Sequence, residues 1–203
     1  MKKTMSLLII AAIILTVAGC KRDSGDAVAT PAPTYNIPTT FPSEATLPGE
    51  MKIADLLSFV SAIIDFDEGW ELDVEYAEIW DDPEFNEIIY VFDYGSFEIV
   101  LFADIEADAF KYGYVRTMII EYHTLVEAGT VAGAFLAALE PNEFERMFLE
   151  VMDFEVFETD PEHNYADEYF PEEVYESFGE VWGFALHENR RFNIFPIDES
   201  FLG

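Results

Sequence analysis

Apolar and polar positions along the chain follow two periods. Ile53, Leu56, Leu57, Val60, Ile63 and Ile64 recur at spacings of three and four, the stripe of an amphipathic helix over 51–64. Its polar side carries Asp55, Ser58 and Ser61 rather than Lys or Arg, so the stripe is expected against a core, not on a membrane surface. The period then falls to two. Leu72, Val74 and Tyr76 alternate with Asp73 and Glu75, while Ile88–Phe92 and Phe97–Leu101 flank the turn Asp93-Tyr94-Gly95-Ser96, which predicts a strand and then a hairpin. From 112 to 123, Tyr114, Arg116, Met118, Ile120 and Tyr122 fall on one side and Val115, Thr117 and Ile119 on the other. Apolar residues on both sides predict a central strand.

The helical period returns over Thr130–Leu139, and Pro141 is expected to open another helix, with Glu143 and Glu145 near its positive end. Phe144, Met147, Phe148, Val151 and Met152 form its stripe, which reads as core rather than a cofactor box. Two strands, Val181–His187 and Arg191–Ile197, close the chain around Glu188-Asn189-Arg190. The predicted fold class is α+β: one domain over 47–203, an antiparallel sheet of five to six strands with helices packed on one face. Ile63-Ile64-Asp65-Phe66-Asp67 is echoed by Val151-Met152-Asp153-Phe154-Glu155, so two degenerate helix-then-sheet units are expected. That element order resembles the tandem units of the secreted beta-lactamase-inhibitor proteins, whose disulfides have no counterpart here.

The N-terminus carries an address. Lys2-Lys3 precede an apolar run from Met5 to Val17, too short to span a bilayer, and the run ends at Val17-Ala18-Gly19-Cys20. A hydrophobic residue, two small residues and Cys in this order resemble the lipobox of bacterial lipoproteins. The resemblance implies a signal peptide over 1–19, cleavage after Gly19 and diacylglycerol on Cys20. Two acyl chains give stable anchoring where one is marginal, which implies the extracytoplasmic face of a cell membrane. Cys20 is the only cysteine, so the domain has no disulfide, zinc knuckle or thiol nucleophile. Residues 20–46, rich in Pro, Thr and Ala, are expected to form a disordered tether.

Composition narrows the partners. Ten Lys plus Arg stand against 41 Asp plus Glu, and removing Lys2 and Lys3 takes the formal charge from -31 to -33. Such a chain repels phosphate backbones, which excludes nucleic acid, and stands off anionic head groups. A charged partner is expected to be basic; without one, the carboxylates are a solvated, self-repelling surface of a soluble monomer.

No motif fixes a reaction. Asp65, Asp67, Gly69 and Asp73 mimic a calcium loop, but Gly69 is fifth rather than sixth and Tyr76 stands where the bidentate Glu belongs. Asp81-Asp82-Pro83-Glu84 reads as a turn. The densest stretch, 155–180, is expected to be a loop before a short helix near Pro171. Within it Asp160, Glu162, His163, Tyr165, Asp167, Glu168 and Tyr169 are the candidate contacts for a basic protein, acids steering approach and Tyr giving rigid area. No metal or cofactor set is spaced there. His123 and His187 are expected in apolar strands as satisfied histidines. The leading reading is a non-enzymatic, lipid-anchored binding module; the alternative is an envelope hydrolase using a carboxylate pair in a cleft.

Overall fold

Leu56, Leu57 and Val60 bury the predicted stripe in helix α1 (Ile53–Ile63). Asp55 lies in its first turn, where the helix dipole favours an anion. The structure, a computed structural model, describes residues 42–64, 72–119, 122–152, 174–187, 190–198 and 200. Four strands succeed α1: β1 (Glu78–Asp82), β2 (Glu87–Asp93), β3 (Phe97–Asp104) and β4 (Ala109–Thr117). Helices α2 (Tyr122–Leu139) and α3 (Phe144–Val151) come next, then β5 (Tyr175–Phe178), β6 (Trp182–His187) and β7 (Arg191–Pro196).

All pairings are antiparallel, in one sheet of order β1-β2-β3-β4-β7-β6-β5. Two meanders, four strands after α1 and three after α3, therefore meet at the β4–β7 seam. At the β2–β3 turn, Gly95 takes φ 77° and its N–H donates to the Asp93 carboxylate, a conformation that Gly adopts without strain. Period-two alternation points Tyr90, Phe92, Ile99, Leu101, Val115, Phe184, Leu186, Phe192 and Ile194 to one face, and all are buried. The helices close on that face: Phe148 of α3 stacks near Phe184, and Gly129 of α2 lies against Phe192. Together these side chains form one core.

The structure corrects several expectations. The sheet has seven strands, not five to six. Residues 72–76 are no strand, because Asp73 accepts from the Glu75 N–H and Val74–Tyr76 close into a 3-10 turn; local side-chain bonding takes the backbone groups a ladder needs. The strand lies at Glu78–Asp82 instead, so Asp81 and Asp82 end a strand before the turn begins. The strand expected to reach His123 stops at Thr117, and α2 starts at Tyr122. Thr130 is thus mid-helix, its hydroxyl donating to the Val126 carbonyl. Pro141 precedes α3 rather than lying in it. Pro171, where a short helix is expected to start, lies outside the described residues; downstream of it residues 175–178 form β5, alternating Tyr175 and Ser177 against Glu176 and Phe178.

One buried carboxylate joins the layers. Glu140, 1% exposed, directly follows α2. It accepts the backbone N–H groups of Glu180, Val181 and Trp182 at 3.3, 3.0 and 2.9 Å, which makes the β5–β6 turn an anion cradle. Gly179 gives it room: a Cβ there would stand 2.8 Å from Glu140 and from the Met147 sulfur. The Trp182 indole N–H donates to the Thr46 carbonyl at 2.6 Å, and the Thr46 N–H to Leu139 O at 2.9 Å. Residues 42–46, expected as tether, therefore include a hydrogen-bonded stretch against the domain. Glu140→Ala strands these donors and is expected to lower stability by about 3 kcal/mol. Gly179→Ala strains the same knot, so denaturant melts should show the double variant less destabilised than the sum of the two.

Candidate functional site

The face of the sheet away from the core carries a line of rings. Strand register sets Trp80, Ile89, Phe102 and Tyr112 side by side across β1 to β4, and Phe195, Gly183 and Phe178 across β7 to β5. Tyr112 and Phe195 flank the Gly113–Ile194 pair at the same end of the seam, so one row crosses all seven strands, about 30 Å at ordinary strand spacing. Phe102 and Tyr112 stack with centroids 4.4 Å apart and planes 12° from parallel. Phe178 meets Phe195 edge to face at 6.2 Å. They meet over Gly183, where a Cβ would lie 2.6 Å from the Phe195 ring; only a bare backbone lets that ring lie down.

A neighbouring row holds Val91, Val100, Tyr114, Asn193 and Ala185, and a third holds Glu98, Arg116, Arg191 and His187. Between the first two rows, over the backbone of Gly113 and Ile194, is an open hollow of about 300 Å³ lined by Phe102, Tyr112, Tyr114, Arg191, Asn193 and Phe195. The Arg191 guanidinium lies 4.8 Å from the Tyr114 ring centre, a cation–π contact. Arg116 pairs with Glu98 at 2.9 Å. No carboxylate among the described residues lines the hollow.

A register shift fixes the wall. Phe102 opposes Tyr112, but the next pair is Ala103 with Phe110, so Lys111 is the extra residue of a bulge, a device that re-aims side chains. Lys111 Nζ donates to Glu87 Oε1 at 2.8 Å and the Tyr112 hydroxyl to Glu87 Oε2 at 2.9 Å. Both charges are buried, so each depends on the other. Burial, then the bond to Glu87, holds the Tyr112 phenol well above its usual range. Burial raises Tyr114 as well, with Glu98 adding and Arg191 and Arg116 opposing. Tyr90 is raised by burial and by its 2.5 Å bond to Asp108.

Cys20, Asp160, Glu162, His163, Tyr165, Asp167, Glu168 and Tyr169 lie outside the described residues, as do Asp65, Asp67 and Gly69. His187 ends β6, half-buried, whereas His123 is exposed in the first turn of α2, not in a strand. Among the described residues no group of three His, Cys, Asp or Glu is placed to hold a metal, and no helix is long and apolar enough to cross a membrane. The hollow itself was missed by sequence reasoning. Tyr112, Tyr114 and Arg116 are visible as one side of a strand, but nothing local shows that Phe102, Asn193 and Phe195 join them. Comparison with known protein families, curated proteins and solved structures finds no match to this chain.

The raised phenols give the fold a pH dependence. A group whose folded pKa exceeds its unfolded value stabilises fully below the unfolded value, about 10 for Tyr, and loses that contribution as pH rises through the folded value. Stability should therefore fall in alkali above about pH 10. Ultraviolet titration should show the Tyr90, Tyr112 and Tyr114 phenols ionising after the exposed tyrosines, together with loss of near-ultraviolet circular dichroism.

Proposed function

We propose that this chain is a lipid-anchored binding protein, held through Cys20 on the extracytoplasmic face of a cell membrane, which engages its partner with the open face of its sheet. The carrying observation is the hollow beside the aromatic row: rings, one guanidinium and one amide around bare backbone, with no carboxylate among the described lining residues. Half-buried aromatics with a few fixed polar groups are the composition of recognition surfaces. A hydrolase of the carboxylate-pair type needs two acids facing one cleft; of the acids on this face, Glu87 and Glu98 are taken up by Lys111, Tyr112 and Arg116, and Glu78, Asp82 and Glu176 stand on the outer strands β1 and β5, none of them lining the hollow. The net charge supports a basic protein as the partner. Membrane-extracted protein is expected to lack residues 1–19 and to carry fatty chains on Cys20 by intact mass, and Cys20→Ser to leave the membrane fraction. Tyr114→Ala and Phe195→Ala are expected to weaken partner retention at least about tenfold with little change in melting. Retention equal to the native chain would refute the open-face assignment.

A further inference from the structure

We infer that the exposed edge of β1 is a docking site for a basic segment in extended conformation, which joins the sheet as an added strand; this rests on the binding-protein reading and names a second contact and its partner chemistry. β1 ends the sheet, and among the described residues it pairs only with β2. One side of its backbone thus presents unpaired N–H and C=O groups, the template for strand addition. Its side chains are exposed on both faces: Trp80 is 60% and Ile79 49% exposed, with Tyr76 and Phe85 alongside at 59% and 65%. Free edges are usually guarded by charge, Pro or a bulge; the charge within β1 is all of one sign, Glu78, Asp81 and Asp82, which guards against a like-charged strand but not against a cationic one.

Those acids choose the partner. A second copy aligned antiparallel would set Glu78 against Asp82, acid against acid, which is unfavourable in directly opposed pairs. A cationic strand meets the opposite sign at the same places. The field around the edge agrees, because no Lys, Arg or His occurs between Lys52 and Lys111, so α1 and β1 to β3 contribute only negative side-chain charge. Such a field steers cations toward the edge. The order of residues sets a pattern. Antiparallel to β1, positions facing Asp82, Asp81, Trp80, Ile79 and Glu78 are in turn basic, basic, apolar, apolar and basic. The first, third and fifth share the face that bears Trp80, since strand side chains alternate.

The test titrates the full chain in detergent with a blocked peptide bearing Lys-Lys-Val-Val-Lys, read by calorimetry and amide hydrogen exchange. Binding that slows exchange over 78–82 and weakens with added salt is expected. Methylating alternate peptide nitrogens, or reordering to Val-Lys-Lys-Lys-Val, should weaken it at least about tenfold, as should Trp80→Ser or Glu78→Lys, both exposed on the edge where folding is little disturbed. No binding at millimolar peptide, protection elsewhere in the chain, or equal binding of the methylated peptide overturns the inference. The two readings fail separately. If β1 is not protected yet Tyr114→Ala still loses the partner, only the edge assignment falls; if β1 is protected and Tyr114→Ala changes nothing, the edge stands without the open face.

Discussion

A single carboxylate, sealed from water and met by three backbone N–H groups, is the point on which this architecture closes. Among the described residues no side-chain cation bonds Glu140; the peptide dipoles of residues 180–182 balance its charge instead. An acid in this position is bound by chain geometry rather than by a mobile side chain, so it fixes the turn itself. From that turn β6 runs back between β5 and β7, and Trp182 at its start is fully buried against Phe110 at 5.4 Å. The same helix end receives the incoming chain at Thr46. Three segments distant in sequence thereby meet, the helix end and the β5–β6 turn through the Glu140 carboxylate and the incoming chain through the Trp182 indole and the Leu139 carbonyl.

Among the described residues the helices pack on one face of the sheet, and the other face carries the half-wet rings. The bulge at Lys111 and its contact with Glu87 hold Tyr112 upright beside Phe102, so this part of the surface is organised rather than merely exposed. Charge is organised too. Of the cations among the described residues, Lys111, Arg116, Arg190 and Arg191 lie on β4, on β7 or at the turn leading into it, while the half of the sheet toward β1 has none. One molecule thus offers a locally cationic aromatic hollow at the centre of its sheet and a purely anionic apolar border. Two different contacts by one partner, or two partners, are compatible with that separation.

What could be read from sequence was what depends on neighbours in the chain. The α1 stripe, the Asp93–Ser96 hairpin and the β6–β7 pair carry their periodicity within a dozen residues, and they stand as expected, as does β4 at the centre of the sheet. Residues 72–76 alternated like a strand, but Asp73 could bond its own backbone and won. The run from 112 to 123 misled because its alternation continues past Thr117, into the bend at Met118–Ile119 and, from Tyr122, into α2. The ring row was illegible for a different reason: its rings come from five strands, and only cross-strand register, which is not written locally, lines them up. Glu140 looked like any of 41 acids, and no periodicity marks a carboxylate whose partners are backbone groups far along the chain.

The clamp on Thr46 decides how the domain bears a pull. Tension arriving along the upstream chain is delivered to Leu139 and Trp182, in the interior, and not to either border strand of the sheet. Strands cannot then be unzipped singly from a margin, each yielding at low load. Past the exposed Asn142 bond to the Ser43 carbonyl, the load enters the core between helix end and sheet, so a pull from this side would be resisted by the domain as a unit.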